Sequence, residues 1–523
     1  MDPALPALIQ QMLQADFYPH AVSEPVQLLQ THISYVLLTG EYAYKIKKPA
    51  NFGFLDFSTL TQRHHFCEEE VRLNQRLSPS LYVGVVPLYQ YTAEGYGWQG
   101  IGEPVEYAVQ MRQFDQSQLL SRLFERGELT PELMSGLGRQ VASFHETAAT
   151  DADIQAFGDR AAIQQVDENN YALSEGFLGH SQTQERLEQT RTFTRQFFAN
   201  HGDWFAQRQA EGKIRECHGD LHLNNVCRYQ DKIQVFDCIE FNREFRNIDV
   251  IYDVAFMVMD LEFQGRPDLA NAFLNAYLER TGDYWGAALL PLYLSMRAYI
   301  RGNVNSLALN DSAISDSEKQ GFLGRAQAYY QAAWQYTQRP PGRLWIMCGL
   351  SGSGKSTVAR AVASGLRALH IRSDAVRKHL AGIPLEQRGA DPNVFGGGIY
   401  TPEMTQKTYD RLLDLGLFLA QQGESVVLDA KYDRQALRQA VYAKAESAQI
   451  PVQIVFCTAP ARVLEERLRS RQGDIADATE ALLAQQQAQF EPLSAAEQAH
   501  SLVCCTDQDL DPQLASLLAH PQP

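Results

Sequence analysis

Apolar residues in the first hundred or so positions mostly recur at the spacing typical of β-strands, with one helical stretch among them. Residues 32–38 and 42–48 are separated by a Thr-Gly-Glu turn and predict a β-hairpin. Residues 82–91 and 105–114 predict two further strands, whereas residues 61–77 carry the apolar stripe of a helix. We therefore expect a small sheet with one helix at the start of the chain.

The pattern changes after residue 116, and a break then separates the chain into two halves. Helical spacing dominates up to residue 215, two short β-prone runs follow, and residues 297–336 are helical again. Residues 337–343 contain two consecutive prolines and a glycine, which indicate a linker. Beyond them strand-like and helical runs alternate, which predicts a parallel, doubly wound sheet. We therefore predict a domain over residues 1–336, a linker over residues 337–343 and a second domain over residues 344–523.

Composition and charge narrow the class of protein. The chain has 523 residues, 45% hydrophobic and 21% charged, so either half is long enough to bury a core. A net charge of −16 disfavours nucleic acid and anionic membranes as partners. The eight cysteines form no C-x-x-C pair, the N-terminus lacks the basic stretch of a signal peptide, and no apolar run approaches membrane-spanning length. We expect a cytoplasmic protein without a membrane segment.

A glycine-rich stretch in the second half fits the phosphate-binding pattern G-x-x-x-x-G-K-[ST]. It follows an apolar run typical of a buried strand and precedes a helical pattern, so a phosphate would lie at a helix N-terminus. Lys355 can reach the β- and γ-phosphates of ATP, and Ser356 can supply a hydroxyl group to Mg²⁺. The predicted nucleotide-binding residues are Gly349, Ser351, Gly352, Ser353, Gly354, Lys355, Ser356 and Thr357. The alternative is a glycine-rich turn that binds nothing.

A second group of polar residues surrounds the two β-prone runs of the first half. The group contains His218, Asp220, His222, Asn225 and Asp237. A carboxylate five residues before an asparagine, with another carboxylate at the end of the next strand, suits a base for a hydroxyl group and two Mg²⁺ ligands. The alternative is a hairpin rich in turn residues whose histidines are satisfied within a core.

The lysines in the second strand of the predicted hairpin indicate a negatively charged partner. Ala43, Lys45 and Lys47 share one face of that strand. A lysine on an inward face is costly unless it meets an anion, so we expect one glutamate among residues 68–70 to pair with it and the other two to be solvated. The alternative is an edge strand with solvated lysines.

The first half resembles the aminoglycoside phosphotransferase-like branch of the protein-kinase superfold. The pattern H-G-D-x-x-x-x-N followed by a strand-end aspartate is matched by His218, Gly219, Asp220, Asn225 and Asp237. The resemblance covers roughly residues 31–330. It implies a bilobal kinase fold in which Asp220 is the catalytic base, while Asn225 and Asp237 hold Mg²⁺.

The same resemblance assigns the lysine and its helix partner. Ala43-Tyr44-Lys45 matches the family's A-x-K strand, which makes Lys45 the α/β-phosphate lysine, with Lys47 in reserve and Glu70 as the helix partner. No G-x-G-x-x-G loop is present, and Asp237 is followed by Cys238 rather than by Phe-Gly. Both departures favour the small-molecule branch over a protein kinase.

The second half resembles P-loop kinases of the polynucleotide-kinase and zeta-toxin type over about residues 344–505. Asp374, at a predicted strand end, and Arg377 match a D-x-x-R pattern in which the aspartate activates an acceptor hydroxyl. Asp429, at the end of another predicted strand, resembles a Walker B carboxylate for Mg²⁺. Arg467 and Arg471 resemble the arginine lid of nucleoside-monophosphate-type kinases. The alternatives are a helix N-cap for Asp374 and a solvated helix face for the arginines.

The combined order of domains resembles a bacterial two-domain fusion of these two kinase types. It implies a bifunctional phosphotransferase with two ATP and Mg²⁺ sites acting on small hydroxylated acceptors. Two alternatives stay open: the second half phosphorylates nucleic-acid ends or toxin-like targets, or one site is a sensor that binds nucleotide without transfer. The acidic net charge weighs against nucleic acid.

Overall fold

An antiparallel sheet with helices on its faces forms the beginning of the chain in the computed structural model. Its strands are β1 (Gln27–Gln30), β2 (Ser34–Leu38), β3 (Tyr42–Lys47), β4 (Tyr82–Gln90), β5 (Tyr96–Gly97) and β6 (Glu106–Arg112), and its helices are α1 (Ala7–Met12), α2 (Leu60–Asn74) and α3 (Leu120–Glu125). The strands pair in the order β1-β2-β3-β6-β4-β5. The predicted hairpin, the two later strands and the helix between them are confirmed.

The position of β3 decides what its lysines meet. It lies between β2 and β6, so the edge-strand alternative was wrong. Tyr44 and Ile46 are buried in one apolar cluster on one face of the sheet. On the other face, Val109 of β6 packs with Cys67 of α2 in a second cluster. Because both faces of the sheet are covered, the side chains of Lys45 and Lys47 point into the protein.

The chain continues with helices and two short strand pairs. The strands are β7 (Ile214–Glu216), β8 (Val226–Tyr229), β9 (Lys232–Val235) and β10 (Asn247–Asp249); β7 pairs with β10, and β8 pairs with β9. The helices are α4 (Pro131–Thr147), α5 (Ala152–Ala156), α6 (Arg160–Glu175), α7 (Gln184–Asn200), α8 (Gly202–Ala210), α9 (Arg243–Arg246), α10 (Val250–Phe263), α11 (Pro267–Thr281), α12 (Leu290–Leu307) and α13 (Asp316–Thr337). The predicted helical stretch and the short β-prone runs are confirmed.

A parallel sheet forms the last part of the chain. Its strands are β11 (Arg343–Cys348), β12 (Leu369–Arg372), β13 (Ser425–Asp429), β14 (Val452–Thr458) and β15 (Ser501–Cys505). The helices are α14 (Lys355–Leu366), α15 (Ser373–Ala381), α16 (Pro402–Gln421), α17 (Gln435–Ser447), α18 (Ala461–Ser470), α19 (Leu483–Gln489), α20 (Ala495–Ala499) and α21 (Leu510–Ala519). All neighbouring strands run parallel in the order β12-β13-β11-β14-β15, which confirms the predicted sheet.

The structure describes residues 5–22, 25–92, 95–100, 102–311, 314–389, 397–470, 475–477 and 483–519. The chain divides into two compact units, one of residues 1–129, 147–169 and 195–260 and the other of residues 130–146, 170–194 and 261–523. Within the described ranges, no helix combines the length and the apolar character needed to cross a membrane. The domain boundary at residues 337–343 stays a prediction.

Side chains from the segment before the linker cover the outer edge of β12. This strand pairs only with β13 in the described sheet, which leaves its other edge in need of hydrogen-bond partners. Asn275 donates to the carbonyl of Ala368 at 3.1 Å, and its own side-chain oxygen accepts from the His370 amide at 2.7 Å. Asn271 also donates to Ala368, and the Tyr284 hydroxyl donates to the His370 carbonyl. Helix α11 and Tyr284 therefore take the place of a neighbouring strand.

We predict that Asn275→Ala speeds hydrogen exchange of the His370 amide at least about tenfold, because that amide loses its acceptor at the sheet edge. The measurement is hydrogen exchange on the full chain, read at residues 369–372. Asn169→Ala, at an exposed helical asparagine, is the matched control and should leave these amides unchanged. Equal exchange in the two variants would contradict the role of α11 as an edge cap.

Candidate active sites

The loop before β8 is held in shape by its own polar groups. Asn225 donates through its amide nitrogen to the carbonyl and to the carboxylate of Asp220, both at 3.0 Å. The backbone amides of His218 and Gly219 donate to the Asp253 carboxylate at 3.1 and 2.9 Å. Gly219 has φ +87°, and a Cβ there would lie 2.7 Å from the Phe245 carbonyl oxygen, so a side chain has no room. The structure thus brings Asp220 and Asn225 together, as the sequence predicted.

The two histidines of this loop support the backbone. His218 Nε2 lies 2.8 Å from the Phe236 carbonyl, and its Nδ1 accepts from the Asp220 amide at 3.2 Å. His222 Nδ1 accepts from the Asn224 amide at 3.2 Å. Both rings therefore have hydrogen-bond partners, as expected in the alternative in which the histidines are satisfied within a core. Their hydrogen bonds also shape the loop that carries Asp220.

Lys45 joins the sheet to Asp237, which lies two residues beyond the end of β9 and not at the strand end that the sequence predicted. Its Nζ lies 2.8 Å from Glu70 Oε1 and 2.6 Å from Asp237 Oδ1. The Asp237 backbone amide donates to the Tyr82 hydroxyl at 3.2 Å, and Asp237 has φ +63°, which is uncommon for a residue with a side chain. Four segments distant in sequence thus meet at one point.

The charges at this point reinforce one another. Burial favours the neutral form of Lys45, but the nearby Asp237 and Glu70 carboxylates outweigh it and hold the pKa of Lys45 well above its ordinary value. Burial likewise opposes the charged form of Glu70, yet Lys45 and Lys47 lower the pKa of Glu70 to about 2. We take Lys45 and Glu70 to be charged at neutral pH.

Lys47 makes a second pair in the same cluster. Its Nζ lies 2.7 Å from Glu70 Oε2 and also bonds the Glu240 carboxylate. The side chains of Lys47 and Glu70 are fully buried, whereas that of Lys45 is 13% exposed and that of Asp237 is 44% exposed. Lys45 is therefore the lysine next to the more exposed carboxylate, that of Asp237, and Lys47 belongs to the interior.

Two glutamates differ from the sequence prediction. Glu240 was missed because it stands in an apolar run three residues after Asp237, where a core position was the simpler interpretation. Glu69 was expected to be solvated, but it accepts from Arg72 at 2.8 Å and from Arg246 at 3.4 Å because the following segments fold over it. Glu68, with its side chain 61% exposed, is solvated as expected.

The glycine-rich loop follows β11, and α14 begins at Lys355. Gly349, Gly352 and Gly354 have φ of +140°, +81° and +80°. A Cβ on Gly349 would lie 2.3 Å from the Cys457 carbonyl oxygen, and one on Gly352 would lie 2.9 Å from that of Leu464. The loop therefore needs its glycines for both conformation and space.

The polar atoms of this loop fit a bound phosphate. Lys355 Nζ donates to the Leu350 carbonyl at 2.7 Å, and burial lowers the pKa of Lys355. Ser353 Oγ is buried and has no hydrogen-bond partner among the described residues. The Ser351 amide donates to Gln486 at 3.3 Å. Ser356 and Thr357 lie in the first turn of α14, where backbone amides favour an anion.

Asp429 is the last residue of β13, as predicted. Its Oδ2 lies 3.1 Å from His370 Nε2 and 3.8 Å from Arg372 Nε. Burial acts to raise its pKa, but the hydrogen bond from His370 and the charges of His370, Arg372 and Lys355 lower the pKa of Asp429 to about 2. The carboxylate is therefore ionised and suited to a cation.

Asp374 does not lie at a strand end, contrary to the prediction, because β12 ends at Arg372 and α15 has already begun. The N-cap alternative was also wrong, since the N-cap position is Arg372. Asp374 Oδ1 instead accepts from the Tyr400 hydroxyl at 3.3 Å. Arg377 stacks on the Tyr400 ring, with its Cζ 4.7 Å from the ring centroid, and donates to Thr405. The sequence contained no local signal for Tyr400.

Arg467 approaches the glycine-rich loop. Its guanidinium donates to the Gly352 carbonyl at 3.3 Å and to the hydroxyl and carbonyl of Thr506 at 2.7 and 2.6 Å. The alternative of a solvated helix face was wrong for Arg467. Arg471, the other predicted lid arginine, lies outside the described residues. The functional roles of the residues in both sites remain predictions.

Comparisons with known protein families find kinase-type domains in both halves. Residues 54–290 match the family described as Phosphotransferase enzyme family, and residues 344–493 match the family described as AAA domain. The chain is thus a two-domain protein of the ATP-dependent kinase class, which confirms the resemblance stated above.

Relatives with both halves exist in mycobacteria. Uncharacterized proteins of Mycobacterium tuberculosis and Mycobacterium bovis are each 29% identical over 464 residues, which cover 89% of this chain and 90% of the relative. The order of the two halves is therefore shared with these mycobacterial proteins.

Solved structures similar to this chain each match one part of it. A choline/ethanolamine kinase family protein from Mesorhizobium loti covers 63% of this chain and 99% of its own, with 12% identity and a TM-score of 0.38. A sugar kinase from Janibacter sp. covers 34% of this chain and 93% of its own, with 23% identity and a TM-score of 0.26.

We predict different outcomes for the two strand lysines. Lys47→Met removes the buried positive charge that pairs with Glu70 and Glu240. It should therefore lower the free energy of unfolding by about 3–5 kcal/mol. Lys45→Met should destabilise less, because Glu70 keeps Lys47, but should slow first-site transfer at least about a hundredfold. Denaturant unfolding and single-turnover transfer are measured on the same samples.

Lys48→Met is the matched control for the two lysines, since Lys48 is partly exposed and bonds the Thr31 carbonyl. It should change neither stability nor transfer appreciably. Transfer lost in Lys47→Met with stability retained would mean that Lys47, not Lys45, is the phosphate lysine.

Proposed function

We propose that this protein is a bifunctional phosphotransferase in which each half transfers the γ-phosphoryl group of ATP to a small hydroxylated acceptor. The observation that carries the proposal is the pair formed by Asp237 and Lys45, beside a loop in which Asn225 holds Asp220. The glycine-rich loop with Lys355, and the separate carboxylate Asp429, support a second site of different construction.

At the first site, Lys45 would bind the α- and β-phosphates and Asp220 would act as the base. Asn225 and Asp237 have the oxygen donors that Mg²⁺ prefers, and bound Mg²⁺ would offset the negative charge of the phosphates. The acceptor oxygen forms a bond to the γ-phosphorus while the bond to the bridging oxygen of ADP breaks. The hydroxyl proton passes to Asp220, whose carboxylate the Asn225 amide orients.

At the second site, the glycine-rich loop and Lys355 would hold the phosphates. Ser356 and Asp429 are oxygen donors suited to Mg²⁺. Asp374 would accept the proton of the acceptor hydroxyl, with the Tyr400 hydroxyl fixing its carboxylate. Arg377 and Arg467 would add positive charge near the transferred group. The reaction balances in the same way as at the first site.

We propose that the acceptors are small molecules with a hydroxyl group. We also propose that the protein is cytoplasmic. The net charge of −16 disfavours a nucleic-acid acceptor, which needs basic surface. Both proposed bases are aspartates, but Asn225 holds Asp220 whereas the Tyr400 hydroxyl contacts Asp374, so we expect the acceptors to differ.

The test is transfer of label from γ-labelled ATP into a metabolite extract by the full chain. Wild type should label products that fall into two sets. Asp220→Asn keeps the shape of the carboxylate but cannot take a proton, so it should reduce one set at least about a hundredfold with Mg·ATP affinity within a few-fold. Asp237→Asn should instead weaken Mg·ATP binding at that site. Lys355→Ala should remove the other set.

Separate outcomes would overturn separate parts of the proposal. If Asp220→Asn chiefly weakens nucleotide binding and Asp237→Asn chiefly slows transfer, their roles are reversed. If one set of products is missing from wild type while that site binds nucleotide, the site is a sensor. Labelled 5′ ends in a parallel reaction with 5′-hydroxyl oligonucleotides would establish a nucleic-acid acceptor.

A further inference from the structure

The loop after β13 places a second lysine beside the glycine-rich loop. Lys431 follows Asp429 by two residues, and its carbonyl accepts from the Gly349 amide at 3.1 Å. Burial lowers the pKa of Lys355, the charge of Asp429 opposes this shift, and the charge of Lys431 adds to it. Lys431 and Lys355 therefore lie close enough to repel each other, although the glycine-rich motif itself includes only Lys355.

The backbone of this loop has an uncommon conformation that several contacts hold. Tyr432, between Lys431 and Asp433, has φ +43°, a left-handed conformation that is unfavourable for a bulky residue. Its carbonyl accepts from Arg438 Nη1 at 3.0 Å and from Cys348 Sγ at 3.4 Å, and its ring is buried. Strained residues held by their surroundings in this way are concentrated at functional sites, so the conformation indicates a functional loop.

The Lys431 side chain pairs with a carboxylate and stays partly open to solvent. Its Nζ lies 3.1 Å from Asp433 Oδ2, and its side chain is 35% exposed, whereas that of Asp433 is 8% exposed. A partly exposed lysine can exchange a single carboxylate for a group that carries more negative charge. A nucleotide triphosphate on the adjacent glycine-rich loop is such a group.

The place of Lys431 at the sheet edge favours the terminal phosphate over the others. Ligands of parallel sheets bind at the carboxyl ends of the strands, and Lys431 leaves the sheet just beyond the end of β13. In P-loop sites the loop amides hold the inner phosphates, whereas Mg²⁺ bridges the β- and γ-phosphates. A lysine two residues beyond the proposed Mg²⁺ ligand Asp429 is therefore suited to the γ-phosphate.

We propose that Lys431 is a further phosphate-binding residue of the second site, which exchanges Asp433 for the γ-phosphoryl group when Mg·ATP binds. The inference rests on the proposed second ATP site. During transfer the acceptor oxygen bonds to the γ-phosphorus while the bond to the bridging oxygen of ADP breaks, and the hydroxyl proton passes to Asp374. Lys431 exchanges no proton in this step, and its charge stabilises the negative charge on the γ-phosphoryl oxygens.

The test compares two nucleotides that differ chiefly in the γ-phosphate. ADP and the non-hydrolysable ATP analogue AMP-PNP are titrated calorimetrically, with Mg²⁺, into full chains carrying Asp237→Asn, which weakens the first site. Second-site binding is the part that Lys355→Ala removes. Lys431→Met should weaken AMP-PNP binding there at least about tenfold and leave ADP binding within about twofold, because ADP has no γ-phosphate.

Transfer provides a second measurement on the full chain with an intact first site. Lys431→Met should slow single-turnover labelling of the second-site products in a metabolite extract at least about a hundredfold at saturating γ-labelled ATP. The first-site products should be labelled at the wild-type rate. If Lys431→Met does not fold, Lys431→Gln replaces it with the same expectations.

Three variants separate phosphate binding from support of the loop. Lys431→Arg keeps the positive charge and should retain AMP-PNP binding within a few-fold. Asp433→Asn removes the partner but keeps the lysine, so it should not weaken AMP-PNP binding. Lys444→Met is the matched control, because Lys444 lies in the next helix, α17, and pairs with Asp414 at 3.3 Å with its side chain 50% exposed. It should change the binding of neither nucleotide.

The outcomes that overturn the inference are distinct from failure of the proposed function. Equal losses of ADP and AMP-PNP binding in Lys431→Met, an equal loss in Asp433→Asn or in Lys444→Met, or an unchanged AMP-PNP affinity would each reject γ-phosphate binding by Lys431 and leave the second site standing. If Lys355→Ala removes no binding from the Asp237→Asn chain, the second site itself is wrong and the inference falls with it.

Discussion

The neutralisation of buried charge is the constraint on which both candidate sites depend. A lysine or arginine removed from water is tolerated only where a carboxylate is brought to it. In the first half, β3 places Lys45 and Lys47 inside, and Glu70, Asp237 and Glu240 arrive from a helix and from the segment after β9. The fold is therefore tied together at the point where chemistry is proposed.

The second half meets the same constraint with different groups. Asp429 is buried at the end of β13 and has His370 and Arg372 from the neighbouring strand beside it. Arg372 in turn faces Glu279, which comes from α11. Charges of opposite sign thus follow one another from Asp429 through Arg372 to Glu279.

Sequence patterns predicted those features that depend on local order. The alternation in residues 42–48 placed both lysines on one face, and the glycine-rich motif placed Lys355 at the start of a helix, as observed. The sequence predicted Asp374 at a strand end, but it lies two residues beyond the end of β12. The short strand and the helix that follows it join without a break in the pattern, so the pattern does not mark the boundary between them.

Contacts between distant segments could not be predicted in this way. Glu240 meets a lysine 193 positions away, and nothing in its apolar neighbourhood indicates a charged partner. Asn275 and Tyr284 complete the edge of β12 across the predicted linker, although composition there indicated only a break. Such contacts depend on which surfaces meet after folding.

The central claim is that each half of the chain forms its own Mg·ATP site. The most direct measurement is the number of nucleotides bound, obtained by titrating the full chain calorimetrically with a non-hydrolysable ATP analogue in the presence of Mg²⁺. We expect two equivalents per wild-type chain and one in a chain carrying Lys355→Ala. A single equivalent in wild type, or two in the Lys355→Ala chain, would contradict it.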